Sequence, residues 1–374
     1  MSGRSWRHAW AEVDLEAIRH NVEQLRRRVA PAALCAVVKA DGYGHGAEPV
    51  ARAALAAGAD WLAVALVEEG VALRDGGVGA PVLLLSEPPP EAMGEAAAHR
   101  LTPTVYTVAG IEAAAAAAGP EGLDVHLKVD TGMHRVGAAP ADAPALARAV
   151  LAAPRLRLAG LWTHLAVADE PARDDFTAGQ LALFEEVRRT VGTVQPALVA
   201  HAANSAAALA HPAARLDMVR CGIAMYGEPP GPARAGLVDL RPALSLRARV
   251  AMVRRPPVDE AVSYGLRYTV TAGSLVATVP LGYADGVPRR LSEVGGQVLV
   301  GGRRRPIAGT VTMDQLLVDC GREGEVSPGD EVVLIGRQGG EEITAGEWAD
   351  RLGTIAYEVL CGIGARVPRT YTGG

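Results

Sequence analysis

The chain has 374 residues, 49% of them hydrophobic and 21% charged, with a formal net charge of −5. That length buries a sizeable core as one large domain or two ordinary ones, and the composition excludes a disordered or fibrous chain. Mild acidity argues against nucleic acid as the main partner, which calls for a basic surface.

From residue 33 onward, short apolar runs alternate with segments of helical character. The runs are 33–39, 61–66, 81–86, 101–106, 124–130, 156–165, 197–203 and 216–223. Helical stretches rich in Ala, Glu and Arg lie between most of them, at 48–57, 112–118, 144–151 and 176–190. Strands apolar on both faces and separated by helices make a parallel sheet, and eight such units close a (β/α)8 barrel. Residues 6–14 precede the first unit and are expected to pair with it as an extra strand.

The pattern changes after the Pro/Gly-rich segment 228–236. Residues 244–253, 274–281, 297–300, 315–320 and 331–335 read as strands of a mostly antiparallel β domain, with Gly301-Gly302 as a hairpin turn. Thr344-x-x-Glu347 is a capping box opening a helix that stops at Gly353, and a short second helix is expected over 355–360. Arg303-Arg304-Arg305 reads as a solvated strand edge. The expected domains are 12–235, the barrel, and 236–374 together with 1–11, the β-rich domain.

The uncharged stretch 191–214 is broken by Gln195, His201, Asn204, Ser205, His211 and two prolines, so no transmembrane helix is expected. Residues 1–10 lack the apolar run of a secretory signal. Cys35, Cys221, Cys320 and Cys361 form neither a disulfide framework nor a C-x-x-C pair, and the remaining histidines, His126 and His201 among them, show no metal-ligand spacing. The expectation is a cytoplasmic protein with no membrane partner and no metal.

Of the 37 basic residues only Lys39 and Lys128 are lysine. Arginine keeps its proton, whereas an amine can lose it and bond to carbon. Each lysine closes an apolar strand rather than decorating a surface helix. Lys39, in Ala36-Val-Val-Lys39-Ala-Asp-Gly-Tyr43-Gly-His-Gly46, sits at the C-terminal end of the first barrel strand, which is the active-site face of such barrels. Its position suits Schiff-base chemistry, although an ion-paired lysine inside the barrel suits the fold as well. Asn204-Ser205 follows the seventh strand, and Arg220-Cys-Gly222-Ile223 ends the eighth. Loops after these strands commonly hold phosphate, and Asn204-Ser205 would also cap the next helix. An amine and a phosphate site at one barrel mouth suggest pyridoxal 5'-phosphate.

These residues, with Lys128-Val-Asp-Thr-Gly-Met-His-Arg135-Val-Gly137, Thr163-His164, Tyr226-Gly227, Ser263-Tyr264-Gly265, Gly282-Tyr283-Ala-Asp-Gly286, Thr312-Met313-Asp-Gln315 and Ile355-Ala-Tyr357-Glu-Val-Leu, resemble the alanine racemases over nearly the whole chain. The resemblance implies a homodimer in which the barrel of one subunit meets the β domain of the other. Lys39 would carry the cofactor. Tyr43, Ser205, Gly222, Ile223 and Tyr357 match phosphate-binding positions, and Asn204 adjoins them. Arg220 matches the residue at the pyridine nitrogen, Arg135 the one near the phenolic oxygen, and His164 the one beside the ring. Tyr264 matches a second catalytic base from the partner, Met313 a substrate contact and Tyr283 part of an entry corridor. Lys128 matches a position that is carbamylated in some members; the alternative is an amine paired with Asp130 or another acid.

The implied reaction interconverts L- and D-alanine, supplying D-alanine for peptidoglycan precursors. Proton removal from one face of the α-carbon and return to the other suits two opposed bases, Lys39 and Tyr264. An unperturbed phenol titrates at about 10, so Tyr264 needs positive charge nearby, which His164 and Arg220 are expected to supply. Arg220 is donor-only, so the ring nitrogen facing it is expected to stay unprotonated, weakening the electron sink and limiting transamination. Three other readings are a broader amino-acid racemase, a decarboxylase on a related scaffold and a non-catalytic cofactor carrier. The carrier fails to account for 237–374, and the decarboxylase for Ser263-Tyr264-Gly265. Cys221, Asp41-Gly42 and Leu165 depart from the usual family pattern at positions that bear no catalytic charge.

Overall fold

The computed structural model describes residues 6–271, 273–322 and 325–374; the start of the expected 1–11 segment lies outside them. The chain divides into two compact units. One comprises Ala17–Gly42 and Gly46–Arg241, the other the N-terminal segment to Glu16, Tyr43–His45 and Pro242–Gly374.

Strand β1 (Ala9–Asp14) belongs to the second unit. The first unit carries β2 (Ala33–Val37), β3 (Trp61–Val64), β4 (Val82–Leu84), β5 (Thr104–Val105), β6 (Leu123–Lys128), β7 (Leu156–Trp162), β8 (Val199–His201) and β9 (Met218–Cys221). All neighbours pair in parallel, in the orders β4-β3-β2-β9 and β5-β6-β7-β8. Two seams join these sheets. Leu84 N donates to Thr102 O (2.9 Å) and Thr102 N to Val82 O (2.8 Å), while Asp217 N donates to Ala200 O (3.0 Å) and Arg220 N to Ala203 O (2.9 Å). The ring is therefore closed, and the unit is a (β/α)8 barrel. The strands are buried on both faces because helices cover them outside. Helix Ala47–Ala56 turns Val50, Ala51, Ala53 and Ala54 inward, and Asp174–Gly192 does the same with Phe184, Val187 and Val191.

The second unit is β-rich. Its larger sheet runs β16-β15-β18-β10-β1-β20, where β10 is Leu244–Arg249, β15 Gln297–Val300, β16 Arg303–Pro306, β18 Glu331–Gln338 and β20 Arg369–Thr372. A three-stranded sheet joins β11 (Met252–Arg254), β14 (Val276–Val279) and β17 (Leu316–Asp319), and β12 (Ala261–Val262) pairs with β13 (Tyr268–Thr269). Strand β19 (Glu341–Ile343) pairs with β18. Every pairing is antiparallel except that of β1 with β20.

Three expectations are corrected here. Residues 6–14 do not extend the barrel: β1 pairs with β10 and β20, placing its alternate residues Ala9, Ala11 and Val13 in the core of the other unit. The single strand expected over 244–253 is two strands in different sheets. Between them Val250 N donates to Asp330 O and Ala251 N to Thr278 O, so the chain exchanges one sheet partner for another within two residues. The arginine triplet does lie on the edge strand β16, but Arg304 is tied down. It reaches Glu347 Oε1 and Oε2 (2.8 and 2.9 Å) and Glu341 Oε2 (3.0 Å), which raises its affinity for its proton.

The turn and cap signals translate directly into structure. Gly301 (φ 61°) and Gly302 (φ 70°) make the β15–β16 hairpin. Thr344 caps helix Ala345–Leu352 by accepting from Glu347 N, and Gly353 closes it at φ 71°. Thr344→Ala removes this cap and is expected to cost about 1 kcal/mol of stability, read as a lower midpoint in chemical denaturation.

Candidate active site

Lys39 emerges from β2 into a turn with an unusual backbone. Ala40, Asp41, Gly42 and Tyr43 all have φ between 50° and 61°. Left-handed geometry at a non-glycine residue costs roughly 1–2 kcal/mol each, so the turn needs anchors. Glu69 supplies one: Oε1 accepts Ala40 N (2.6 Å), and Oε2 accepts Ala65 N (2.8 Å) and Leu66 N (3.1 Å). Asp41 supplies another, its side chain accepting Ala47 N (2.9 Å) and its carbonyl Gly46 N (2.8 Å). Gly42 fits because it adopts φ 61° without a side chain.

The other barrel candidates lie at the same C-terminal ends of strands. Lys128 ends β6 and is 2% exposed, its ammonium 4.3 Å from the Trp162 ring centroid. Burial first, then the charges of Arg135, Arg220 and Lys39, push Lys128 down to about 7. Asp130 does not pair with it among the described residues. Its carboxylate instead accepts Gly132, Met133 and His134 N–H, each at 3.0 Å, and so shapes the loop leading to the exposed Arg135.

Arg220, on β9, is buried, with its guanidinium 4.5 Å from the Trp162 ring centroid on that indole. It donates to Thr163 O (2.9 Å), Ala202 O (3.1 Å), His201 Nδ1 (2.8 Å) and His164 Nδ1 (3.3 Å). Burial pushes Arg220 down to about 10, so it stays charged at neutral pH. Burial and then the Arg220 charge hold His164 and His201 well below the ordinary histidine range, so both imidazoles are neutral. Gln180 steadies the His164 loop by donating to His164 O (3.1 Å) and accepting Ala166 N (2.9 Å).

Two short helical turns open at the ends of β8 and β9. Asn204 caps the first, Ser205–Ala210, accepting Ala207 N (3.0 Å) and donating to Leu165 O (3.2 Å). Ser205 Oγ accepts Gly222 N (2.9 Å) and so ties this turn to the second, Ile223–Tyr226. The first amides of each turn have no partner within their own helix, which leaves donors for an anion. A primary amine, an amide cradle and a charged donor-only side chain at one mouth fit the aldehyde, phosphate and pyridine nitrogen of pyridoxal 5'-phosphate.

In the β-rich unit, Tyr43 and Tyr357 place their ring centroids 5.9 Å apart. Tyr264 is 73% exposed yet sits on a braced turn. Ser263, at φ 67°, donates to Thr310 O (2.7 Å), and Thr310 Oγ1 donates back to Tyr264 O (2.9 Å). Tyr283 and Met313 are also exposed and lie on two hydrogen-bonded loops, with Tyr283 N donating to Thr312 O (2.9 Å) and Ala284 N to Met313 O (3.0 Å). A Cβ on Gly282 would lie 2.3 Å from the Thr312 and Met313 carbonyl oxygens, so glycine permits this approach. Asp285, fully buried, accepts Gly282 N (3.0 Å) and Arg7 (2.9 Å), with Arg366 at 3.5 Å.

The sequence reading missed Glu69, Trp162, Gln180, Asp285 and the pair His126–His201, which it treated as ordinary histidines. A histidine inside an apolar strand was the available signal, since a buried polar side chain must find a partner.

Comparison with known proteins points one way. Residues 13–230 match the family model "Alanine racemase, N-terminal domain" and residues 243–371 match "Alanine racemase, C-terminal domain". The alanine racemase of Symbiobacterium thermophilum is 49% identical over 98% of both chains, and that of Desulfovibrio desulfuricans 42% over 98% of both. Among solved structures, the alanine racemase of Bacillus anthracis with bound L-Ala-P has a TM-score of 0.92 at 38% identity. That match covers 99% of this chain and 96% of that one. The enzyme of D-cycloserine-producing Streptomyces lavendulae has a TM-score of 0.91 at 40% identity, covering 99% and 98%.

Two outcomes test the barrel mouth. Glu69→Ala removes three charge-assisted hydrogen bonds and is expected to cost about 2 kcal/mol of stability, together with loss of activity, in denaturation and racemase assays. For Lys128 the folded-state value lies below the unfolded one, so between about 7 and 10.5 the unfolded chain binds the extra proton. In buffer freed of carbon dioxide, the stability of wild type relative to Lys128→Leu therefore rises with pH across that window, by at most about 1.4 kcal/mol per unit.

Proposed function

The chain belongs to the alanine racemase family, pyridoxal 5'-phosphate-dependent isomerases that interconvert L- and D-alanine, and on that premise we propose that it does so with two bases, Lys39 and the partner subunit's Tyr264. The observation that carries this reading is the braced but exposed Tyr264. A turn held by Ser263 and Thr310 fixes its backbone while its phenol projects 73% exposed. A second copy of the chain gives such a side chain a barrel mouth to enter, and Leu266, Met313 and Ile355 are exposed on the same unit to be covered with it.

The cofactor, when bound, supplies an electron sink for the carbanion left by loss of the α-proton. The chain's own residues do the rest. Lys39 Nζ would hold the cofactor and would move a proton at one face of the α-carbon. The Tyr264 hydroxyl moves a proton at the other. Ser205 and the amides of Gly222 and Ile223, the first on leaving Ser205 Oγ, with Asn204 adjoining, would hold the phosphate, and Tyr43 and Tyr357 match positions that bind it. Arg220 would face the pyridine nitrogen with N–H groups only, and as a donor without an acceptor it would leave that nitrogen unprotonated and so disfavour transamination. His164 is neutral and accepts from Arg220, so of the two residues expected to supply positive charge near the phenol only Arg220 carries it. Arg135 binds the phenolic oxygen side and the substrate carboxylate. Met313 and Tyr283 line the approach.

Lys128 is the residue best suited to carbamylation. A buried amine titrating at about 7 is substantially neutral and nucleophilic near physiological pH, and the carbamate would place an anion beside Arg135. Among the described residues no helix is long and apolar enough to cross a membrane. The proposed physiological role is supply of D-alanine to peptidoglycan precursors in the cytoplasm.

Complementation between subunits tests the crossed site. Lys39→Ala and Tyr264→Ala are each expected to abolish racemisation, the first also removing the cofactor's bound absorption band and the second retaining it. Random mixing of the two variants restores about a quarter of wild-type activity, because half the dimers are mixed and each of those has one intact site. A tyrosine acting within its own subunit gives no restoration. Intact-mass analysis in bicarbonate checks Lys128: the expected result is an increment of one carbon dioxide, lost on acidification and absent from Lys128→Arg.

A further inference from the structure

We propose that His126 is a positioning residue that, through His201, fixes the guanidinium of Arg220 toward the cofactor; this rests on the reading of Arg220 as the residue facing the pyridine nitrogen. His126 lies on β6, fully buried, with Nδ1 2.9 Å from His201 Nε2. Arginine has no acceptor, so Arg220 Nη1 donates to His201 Nδ1 (2.8 Å). His201 is neutral, and its one proton is therefore on Nε2, where it donates to His126 Nδ1. Burial, and then the Arg220 charge, push His126 down to about 3, so it too is neutral and carries its proton on Nε2. The direction of every hydrogen bond in the series is thus set from the Arg220 end.

The backbone is built around this imidazole. Along β6 and β7, Val125 pairs with Leu158 but His126 pairs with Gly160, leaving Ala159 as the extra residue of a bulge. A Cβ on Gly160 would lie 2.5 Å from His126 Nδ1 and 2.6–2.7 Å from its ring carbons. Gly160 is not a left-handed position, so the glycine serves to make room for the ring. The far nitrogen, Nε2, has no hydrogen-bond partner among the described residues and lies buried beside Trp61, whose ring centroid is 5.5 Å from that of His126. An unsatisfied interior N–H is costly. A leucine of similar volume would avoid that cost, so the acceptor at Nδ1 is what the site retains. With it, His201 has one tautomer and one ring orientation; without it, the imidazole is free to turn and Arg220 loses a fixed acceptor.

The test compares His126→Leu, which removes the acceptor, with His126→Asn, whose Oδ1 stands where Nδ1 does, in the cofactor-loaded enzyme. The Leu variant is expected to shift the absorption maximum of the bound cofactor and to lose the cofactor on dialysis roughly ten-fold faster, while Asn remains near wild type in both. Equal behaviour of the two variants, or a folded Leu variant with wild-type absorption and retention, overturns the proposal. Arg220→Lys separates the layers. A shift there with none in His126→Leu defeats this inference alone, whereas no shift in either defeats the reading of Arg220 as well. Nitrogen-15 histidine spectra of the wild-type holoenzyme need no variant to fold: Nε2–H on both His126 and His201 is expected, and Nδ1–H on either overturns the series.

Discussion

Burying a guanidinium is costly unless its donors find acceptors, because the charge gives up water for a medium that solvates it poorly. Arg220 meets that condition with two carbonyl oxygens, two imidazole nitrogens and the face of Trp162. None of these partners is a carboxylate, so the positive charge is solvated without being neutralised. Much at the barrel mouth follows from that choice. Lys128 is pushed down by burial and by the neighbouring charges, and His164 and His201 are kept neutral and therefore available as acceptors. An acid in place of either histidine would satisfy the guanidinium more tightly and erase the field that the rest of the site uses.

That field decides which ligands the mouth favours. Lys39, Arg135 and Arg220 lie close enough to Lys128 to push it down, while Asp130, which acts the other way, spends its oxygens on the backbone of its own loop. A site with several cations, whose neighbouring acid is committed to its own loop, binds phosphate and carboxylate groups well. It also lowers the cost of forming an anion inside it, whether a phenolate entering from outside or a carbamate made on Lys128. Cofactor binding, substrate binding and base activation therefore draw on the same positive charge.

Much of this was legible in the residues, for identifiable reasons. Eight apolar runs became eight strands because parallel strands buried on both faces leave an unbroken hydrophobic signature, and Lys39 and Lys128 stood out because arginine fills nearly every other basic position. The cap at Thr344 and the hairpin at Gly301-Gly302 were local and so readable locally. What escaped the sequence depends on pairing between distant segments. Strand β1 joined β10 and β20 rather than the barrel it precedes, and nothing within Ala9–Asp14 records that partner. Likewise His126 is an ordinary strand histidine until a bulge 34 residues later, at Ala159 and Gly160, sets a neighbouring strand against it and His201 arrives from a third. The left-handed turn after Lys39 belongs to the same class, since its anchor Glu69 is 29 residues away.

The distribution of rigidity over the two units bears on how one reaction can be divided between two chains. In the proposed two-base scheme, a base that enters from another subunit gains nothing from flexibility, because each degree of freedom it keeps is entropy lost on docking. Tyr264 is accordingly exposed in its side chain but pinned in its backbone, and the Tyr283 and Met313 loops are laced to each other and anchored through the buried Asp285. On the barrel side, Glu69 fixes the turn after Lys39 and the imidazole series fixes Arg220. Both halves of the proposed site are thus organised before they meet, so the binding energy of the two copies need not be spent on ordering the bases. Loosening either half would weaken catalysis without touching a reacting atom, which is why the residues that hold these groups in place matter as much as the groups themselves.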